Sequence, residues 1–120
     1  MSKESDLAES VRMIRNVHAH IAQDRIHGEK ALRRLLPIAL GDTGQSNRVA
    51  RLLLGCYNGT RFPFDLCNLR SLDYEIMNDC LAVLRMDANA LQEVHCYFDK
   101  GGKIFETLAK RFDCVEEVRK

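Results

Sequence analysis

Three groups of residues in this chain have types and spacings suited to chemistry. The first is the turn GDTGQS, residues 41–46, where two glycines and a serine precede a helical pattern. A phosphate-gripping loop works because glycines let backbone N–H groups converge on an anion, a helix start adds its positive end, and a lysine reaches the terminal phosphates. Here the lysine is missing and the glycine spacing falls short of the Walker pattern. The run before the turn has helical spacing instead of a strand's, and Asp42 would repel the anion. Phosphate chemistry is therefore set aside.

The second group is Gln45, Asn47, Arg48 and Arg51, directly behind that turn. These side chains can reach phosphates or base edges if the segment is the second helix of a helix-turn-helix, with Ala39 and Val49 meeting between the helices and Gly44 in the turn. Two features oppose that reading: Gly44 sits one place late, and the apolar run continues through Leu54. A simpler account gives each turn residue a local role, with Gly41 ending one helix, Asp42 bridging, and Thr43 or Ser46 capping the next.

The third group is the thiols and imidazoles. Cys56, Cys67, Cys80, Cys96 and Cys114 are odd in number and widely spaced, which argues against a disulfide framework and for buried thiols in a reducing compartment. His18 and His20 point to different helix faces and His95-Cys96 are adjacent, so no metal-ligand spacing is present and neither a metal nor a cofactor is expected. Arg61, Asp65, Phe62 and Phe64 lie in the irregular stretch TRFPFDLCNLRS. There the aromatics either plug a small core or, with the two charged residues, offer a surface to a partner.

The elements that must position these residues are helical. Leu7, Val11, Ile14, Val17 and Ile21 recur at three and four, predicting a helix over 6–26, started by Asp6 with Glu9 behind it and ended or bent at Gly28. A second stripe, Ala31, Leu32, Leu35, Leu36, Ala39 and Leu40, contains Pro37, which predicts a kink or an early stop near Leu36. Val49, Leu52, Leu53, Cys56 and Tyr57 predict a helix over 45–57, closed by Asn58-Gly59 in a left-handed cap. Residues 58–71 form an ordered loop. Ser71 then caps a core helix through Ile76, Met77, Cys80, Leu81 and Leu84. Asp87 starts a short one through Leu91, Val94 and Phe98, and Ile104, Phe105, Leu108, Ala109 and Phe112 define the last.

The expectation is an all-α, compact single-domain bundle of five to six helices spanning 1–120, with 1–5 and 115–120 frayed. At 120 residues and 46% hydrophobic content it can bury one core without disulfides or a metal. With 18 Lys and Arg against 17 Asp and Glu, no global field draws it to nucleic acid or an anionic membrane. Arg12, Arg15, Arg25, Lys30, Arg33 and Arg34 nonetheless make the first third lean basic. The opening MSKESDLAES lacks the pattern of a signal peptide and no segment reads as a membrane span, so a cytoplasmic location is expected.

Several motifs fall between residues 30 and 86: Asp42 to Ser46, Val49 to Leu53, Asn58, Phe64 to Leu66, Leu69 to Asp73 and Asp79 to Val83. Together they resemble a family of small uncharacterised proteins from plasmids, prophages and integrative elements of proteobacteria. The resemblance implies an accessory protein of a bacterial mobile element. Combined with the small size and mixed surface, it leads to an expected non-enzymatic factor that binds a host- or element-encoded protein, for instance an anti-CRISPR-like inhibitor of host defence. The alternative is a DNA-binding regulator using residues 45–51. The candidate interaction surface is Gln45, Asn47, Arg48, Arg51, Arg61 and Asp65.

Overall fold

The computed structural model describes residues 3–119, with side chains described as far as Phe112. Its order is α1 (Lys3–Leu40), α2 (Gly44–Tyr57), a 3₁₀ segment (Leu66–Ser71), α3 (Tyr74–Ala88), a second 3₁₀ segment (Val94–Tyr97) and α4 (Gly101–Arg119). The expected all-α class holds, as six helical elements and no strand among the described residues.

The first two predicted helices are one. α1 passes Gly28 without a break because that glycine is a packing site, where a side chain would collide with α3. A Cβ there would fall on Met86 Cβ and stand 2.9 Å from the Ala82 carbonyl oxygen. Pro37 also lies inside α1. It removes only one N–H in the last turn of the helix, and its flanking residues Leu35, Leu36 and Ala39 are buried, so burial outweighs the lost bond. The start differs as well: the helix begins at Lys3, which puts Asp6 within its first turn instead of at its cap.

α1 and α3 run antiparallel and share the largest interface, with α2 and α4 packed beside them. The core holds Leu32 and Leu35 of α1, Leu52 and Leu53 of α2, Met86 of α3 and Phe105 of α4, all fully buried. Long-range ties fix the α1–α3 register: Arg34 donates to both oxygens of Asp79 at 3.0 and 2.8 Å, and Arg25 donates twice to the Asn89 carbonyl at 2.9 and 2.7 Å. Arg33 reaches the Tyr97 carbonyl at 3.0 Å. Three of the basic residues on the first third are thus structural.

Other boundaries shift for local reasons. Asp73, not Ser71, precedes α3. The helix predicted from Asp87 is absent: α3 ends at Ala88, and only the short segment Val94–Tyr97 is helical. That segment is held by Gly101, where any side chain would run into the His95 carbonyl. Asn58 has φ −156°, so α2 ends in extended backbone and not in a left-handed cap. The predicted loop over 58–71 is ordered but its second half is 3₁₀ helix, and Phe62 is buried as a core plug. α4 runs from Gly101 to Arg119.

One part of the molecule leaves the bundle. Residues 3–20 are exposed throughout, so the first half of α1 projects as an arm. The molecule measures 66 × 30 × 27 Å with a radius of gyration of 17.8 Å, against about 13.6 Å for a compact chain of this length. The apolar stripe of the predicted first helix is therefore on the surface for most of its length: Leu7 is 66% exposed, Val11 45%, Ile14 56% and Val17 54%, with Ile21 half-buried.

Candidate functional site

The turn after α1 is built by its own side chains. Thr43 caps α2: the Ser46 N–H donates to Thr43 Oγ1 at 3.2 Å, the Thr43 N–H donates to Ser46 Oγ at 3.1 Å, and the two hydroxyls share a 2.8 Å bond. This reciprocal box satisfies donors that would otherwise be orphaned at the helix start. Ser46 is buried by the arrangement. The carbonyls ending α1 are met from across the bundle, where Arg111 of α4 donates to Leu40 at 2.9 Å, to Gly41 at 3.1 Å and to Ala39 at 3.4 Å. A cation at a helix C-terminus is also favoured by the helix dipole.

Gln45 is half-buried and already has a partner. Its amide donates to the Asp73 carboxylate at 2.8 Å and accepts from the Asp73 N–H at 2.7 Å, clamping the start of α3 to the start of α2. Asp73 makes no side-chain cap of its own helix, because its carboxylate is engaged by Gln45. Arg51 donates to Asn47 at 2.7 Å and lies 4.9 Å over the Phe112 ring. Arg48 folds back onto the Gly44 carbonyl at 3.2 Å.

Arg61 and Asp65 serve other ties. Arg61 donates to both oxygens of Glu106 at 3.0 and 2.9 Å, and Tyr57 donates its hydroxyl to the same carboxylate at 2.6 Å. Those bonds, first from Tyr57 and then from Arg61, hold the Glu106 carboxyl below its ordinary range, while the same bond raises the Tyr57 phenol. Asp65 caps Leu66–Ser71 by accepting from the Cys67 N–H at 2.9 Å. The six candidate residues are thus each engaged within the molecule, Asn47 and Arg51 with one another and Gln45, Arg48, Arg61 and Asp65 in four further ties.

A cavity of about 420 Å³ lies beside the corner, lined in part by Asp42, Asn47, Arg51 and Arg111. Its two guanidinium groups are already committed, Arg111 to carbonyls and Arg51 to Asn47 and Phe112. Elsewhere, Cys96 Sγ is 3.6 Å from His95 Nε2, and His95 Nδ1 is buried without a partner while its ring packs against Tyr57 and Phe105. The adjacent thiol and imidazole border none of the cavities described here.

The thiols also divide. Cys80 is buried and Cys56 half-buried, and burial pushes their pKa values up to about 11 and about 12, so both stay protonated at neutral pH. Cys67 and Cys96 are exposed, against the expectation of buried thiols, and Cys114 lies outside the described side chains. Among the described residues no group of three or more His, Cys, Asp or Glu is placed to hold a metal ion. Among the described residues no helix is long and apolar enough to cross a membrane.

Sequence reasoning missed three features. The arm was hidden because an amphipathic stripe looks the same whether it meets a core or solvent. Arg111 as a cap on α1 and the Gln45–Asp73 clamp are contacts between residues far apart in sequence, and local spacing carries no signal for them.

Fold and corner together define a small all-α module in which polar residues such as Gln45, Asp73 and Arg111 brace the junctions between helices. The chain belongs to a family of unknown function, DUF7673, whose model matches residues 29–113. That span begins just after the Gly28 packing site and contains the rest of the described bundle core, and the exposed residues 3–20 lie before it. No curated protein and no solved structure matches the chain.

Proposed function

We propose that the protein is a non-enzymatic binding factor that engages another protein through the helical arm of α1. The observation that carries this reading is the stripe of Leu7, Val11, Ile14 and Val17, each about half exposed or more on a helix that leaves the bundle. A contiguous apolar stripe rimmed by charged residues is the mark of a protein interface. A lone helix of this length is also marginal in water, so a partner covering the stripe would stabilise the arm itself.

The engagement of Gln45 with Asp73 and of Arg51 with Asn47 and Phe112 favours this reading over the DNA-binding alternative, because those side chains already have partners. The finer setting we propose, an accessory factor of a bacterial mobile element with inhibition of host defence as its specific form, rests on the motif resemblance over residues 30–86.

The test is affinity capture from a bacterial lysate that also contains an untagged copy of the chain, comparing the wild type with a Val11→Glu, Val17→Glu protein. A protein held by the wild type and lost by the variant, with unchanged circular dichroism of the bundle, is the expected result. Equal capture by both would overturn the assignment to the arm, and turnover of a screened substrate would overturn the non-enzymatic reading. Salt-sensitive binding to duplex DNA that disappears in an Arg48→Ala, Arg51→Ala protein would instead establish the regulator.

A further inference from the structure

A cavity of about 320 Å³ lies where the second half of α1 faces the chain that follows α3. Arg25, Ile26, Glu29 and Lys30 are spaced by one, three and one along α1, so they line it from one side of the helix. Leu91, Gln92 and Tyr97 line the opposite wall. That wall is anchored to α1 at both ends: Arg25 donates Nε and Nη2 to the Asn89 carbonyl, and Arg33 donates to the Tyr97 carbonyl at 3.0 Å. A recess held in this way keeps its shape before anything enters it.

Its polar groups, unlike those of the corner cavity, are largely unengaged. Lys30 Nζ, the Tyr97 hydroxyl and Arg25 Nη1 have no hydrogen-bond or ion-pair partner among the described residues. The one carboxylate on the lining, Glu29, is paired with Arg33 at 3.5 Å. Burial, and after it the charges of Glu29 and Asp87, raise the Tyr97 phenol against a lowering by Arg25, so its hydroxyl stays a neutral donor at neutral pH. A half-buried tyrosine hydroxyl ordinarily finds an acceptor, and here the described chain supplies none. Uncovered hydrocarbon sits beside these donors, with Ile26 50% and Leu91 78% exposed.

Donors without acceptors, next to uncovered aliphatic side chains, are the complement of an amphipathic anion. From that convergence we propose that the cavity binds a small organic anion, a carboxylate on a short hydrocarbon body, with Lys30, Arg25 and Tyr97 taking the carboxylate and Ile26 and Leu91 covering the hydrocarbon. Two cations, Arg25 and Lys30, less one carboxylate, Glu29, leave one net positive charge on the lining, which suits a monoanion better than a doubly charged phosphate. The volume lies at the lower end of the roughly 300–1,000 Å³ of small-molecule sites, which limits the hydrocarbon to a short chain or one ring. This site is separate from the arm stripe and does not depend on the protein-binding reading.

Titration of hexanoate into the isotope-labelled full chain at constant ionic strength, read by amide NMR shifts, tests it. Hexanol and acetate serve as probes that each carry half of the chemistry. Saturable shifts within 25–30 and 89–97 are expected, with a Kd of roughly 0.1–10 mM, and with hexanol and acetate each about 10-fold weaker or more. Lys30→Met keeps the stem and removes the charge, so it should weaken hexanoate about 10-fold and leave hexanol unchanged. Leu91→Ser should weaken hexanoate and hexanol alike. Both positions are exposed, so both variants should keep the wild-type spectrum elsewhere. Hexanol binding as tightly as hexanoate, or hexanoate unaffected by Lys30→Met, would overturn the anion contacts. Acetate binding as tightly as hexanoate would overturn the hydrocarbon contacts. Shifts centred on 7–17, or none that saturate below about 50 mM, would overturn the site.

Discussion

Replacing Gly28 with alanine opposes two effects of known size. In an exposed helix interior the change stabilises by about 1 kcal/mol, because alanine loses less backbone freedom than glycine on folding. At this position, however, the new methyl would overlap Met86 Cβ and stand 2.9 Å from both the Ala82 carbonyl oxygen and Met86 Sδ. Two of those atoms belong to the α3 backbone or are bonded to it, so a rotamer change cannot clear them. The helices must separate, and their contact is the largest in the molecule. Overpacking of this kind typically costs about 1–3 kcal/mol, and a displaced helix pair belongs at or above the upper end. The expected net loss is about 2 kcal/mol, or roughly 8 °C in Tm for a chain of this size. Urea unfolding followed by circular dichroism measures it, and a Gly28→Ala, Met86→Ala protein supplies the control. That second change removes Met86 Sδ but leaves Met86 Cβ and the Ala82 carbonyl, so it should not restore stability. A Gly28→Ala protein as stable as the wild type, or more so, would refute the close approach of α1 and α3.

Three further outcomes follow from the junctions. Gln45→Ala removes both bonds to Asp73 and is expected to cost about 1–2 kcal/mol, whereas Gln45→Glu should cost as much or more because it sets a second carboxylate against Asp73; paired urea midpoints check this. Arg111→Met keeps the aliphatic stem but strips the carbonyls of Ala39, Leu40 and Gly41 of their donor, and should lower stability by about 1 kcal/mol, with hydrogen exchange quickening first in the last turn of α1. In alkali, the folded chain keeps the protons of Cys56 and Cys80 up to about pH 12 and 11, while unfolded thiols release theirs near 9. The stabilisation is complete below about pH 9 and is lost as pH rises toward the folded values, at about 1.4 kcal/mol per pH unit for each thiol. A Cys56→Ala protein should show about half that slope in a pH series of urea midpoints.

The readable and unreadable parts of the fold separate along physical lines. Helical periodicity around Leu32, Leu52, Leu53 and Phe105 is a local property, and it located the core segments correctly. The capping role of Thr43 and Ser46 was equally legible, since a cap acts over three residues. Gly28 was misread as an end because its function, admitting Met86, depends on a residue 58 positions away. Asp87 was misread as a start because the competing contacts, Arg25 on Asn89 and Gly101 under His95, are also non-local. Gln45, Arg51, Arg61 and Asp65 were singled out for their polarity. That polarity is engaged in bonds within the molecule, through partners too far off in sequence for Gln45 and Arg61 to be read from spacing.

The Arg111 tie has a consequence for synthesis. The last turn of α1 leaves the ribosome with its carbonyls open, and the guanidinium that closes them is encoded 70 to 72 residues later. At ordinary elongation rates that interval is roughly 4–14 s. During it, Leu32, Leu35 and the arm stripe are all without their final cover on the same long helix. The corner after α1 is therefore among the last parts of the molecule to be completed, because the donor that closes it is among the last residues made.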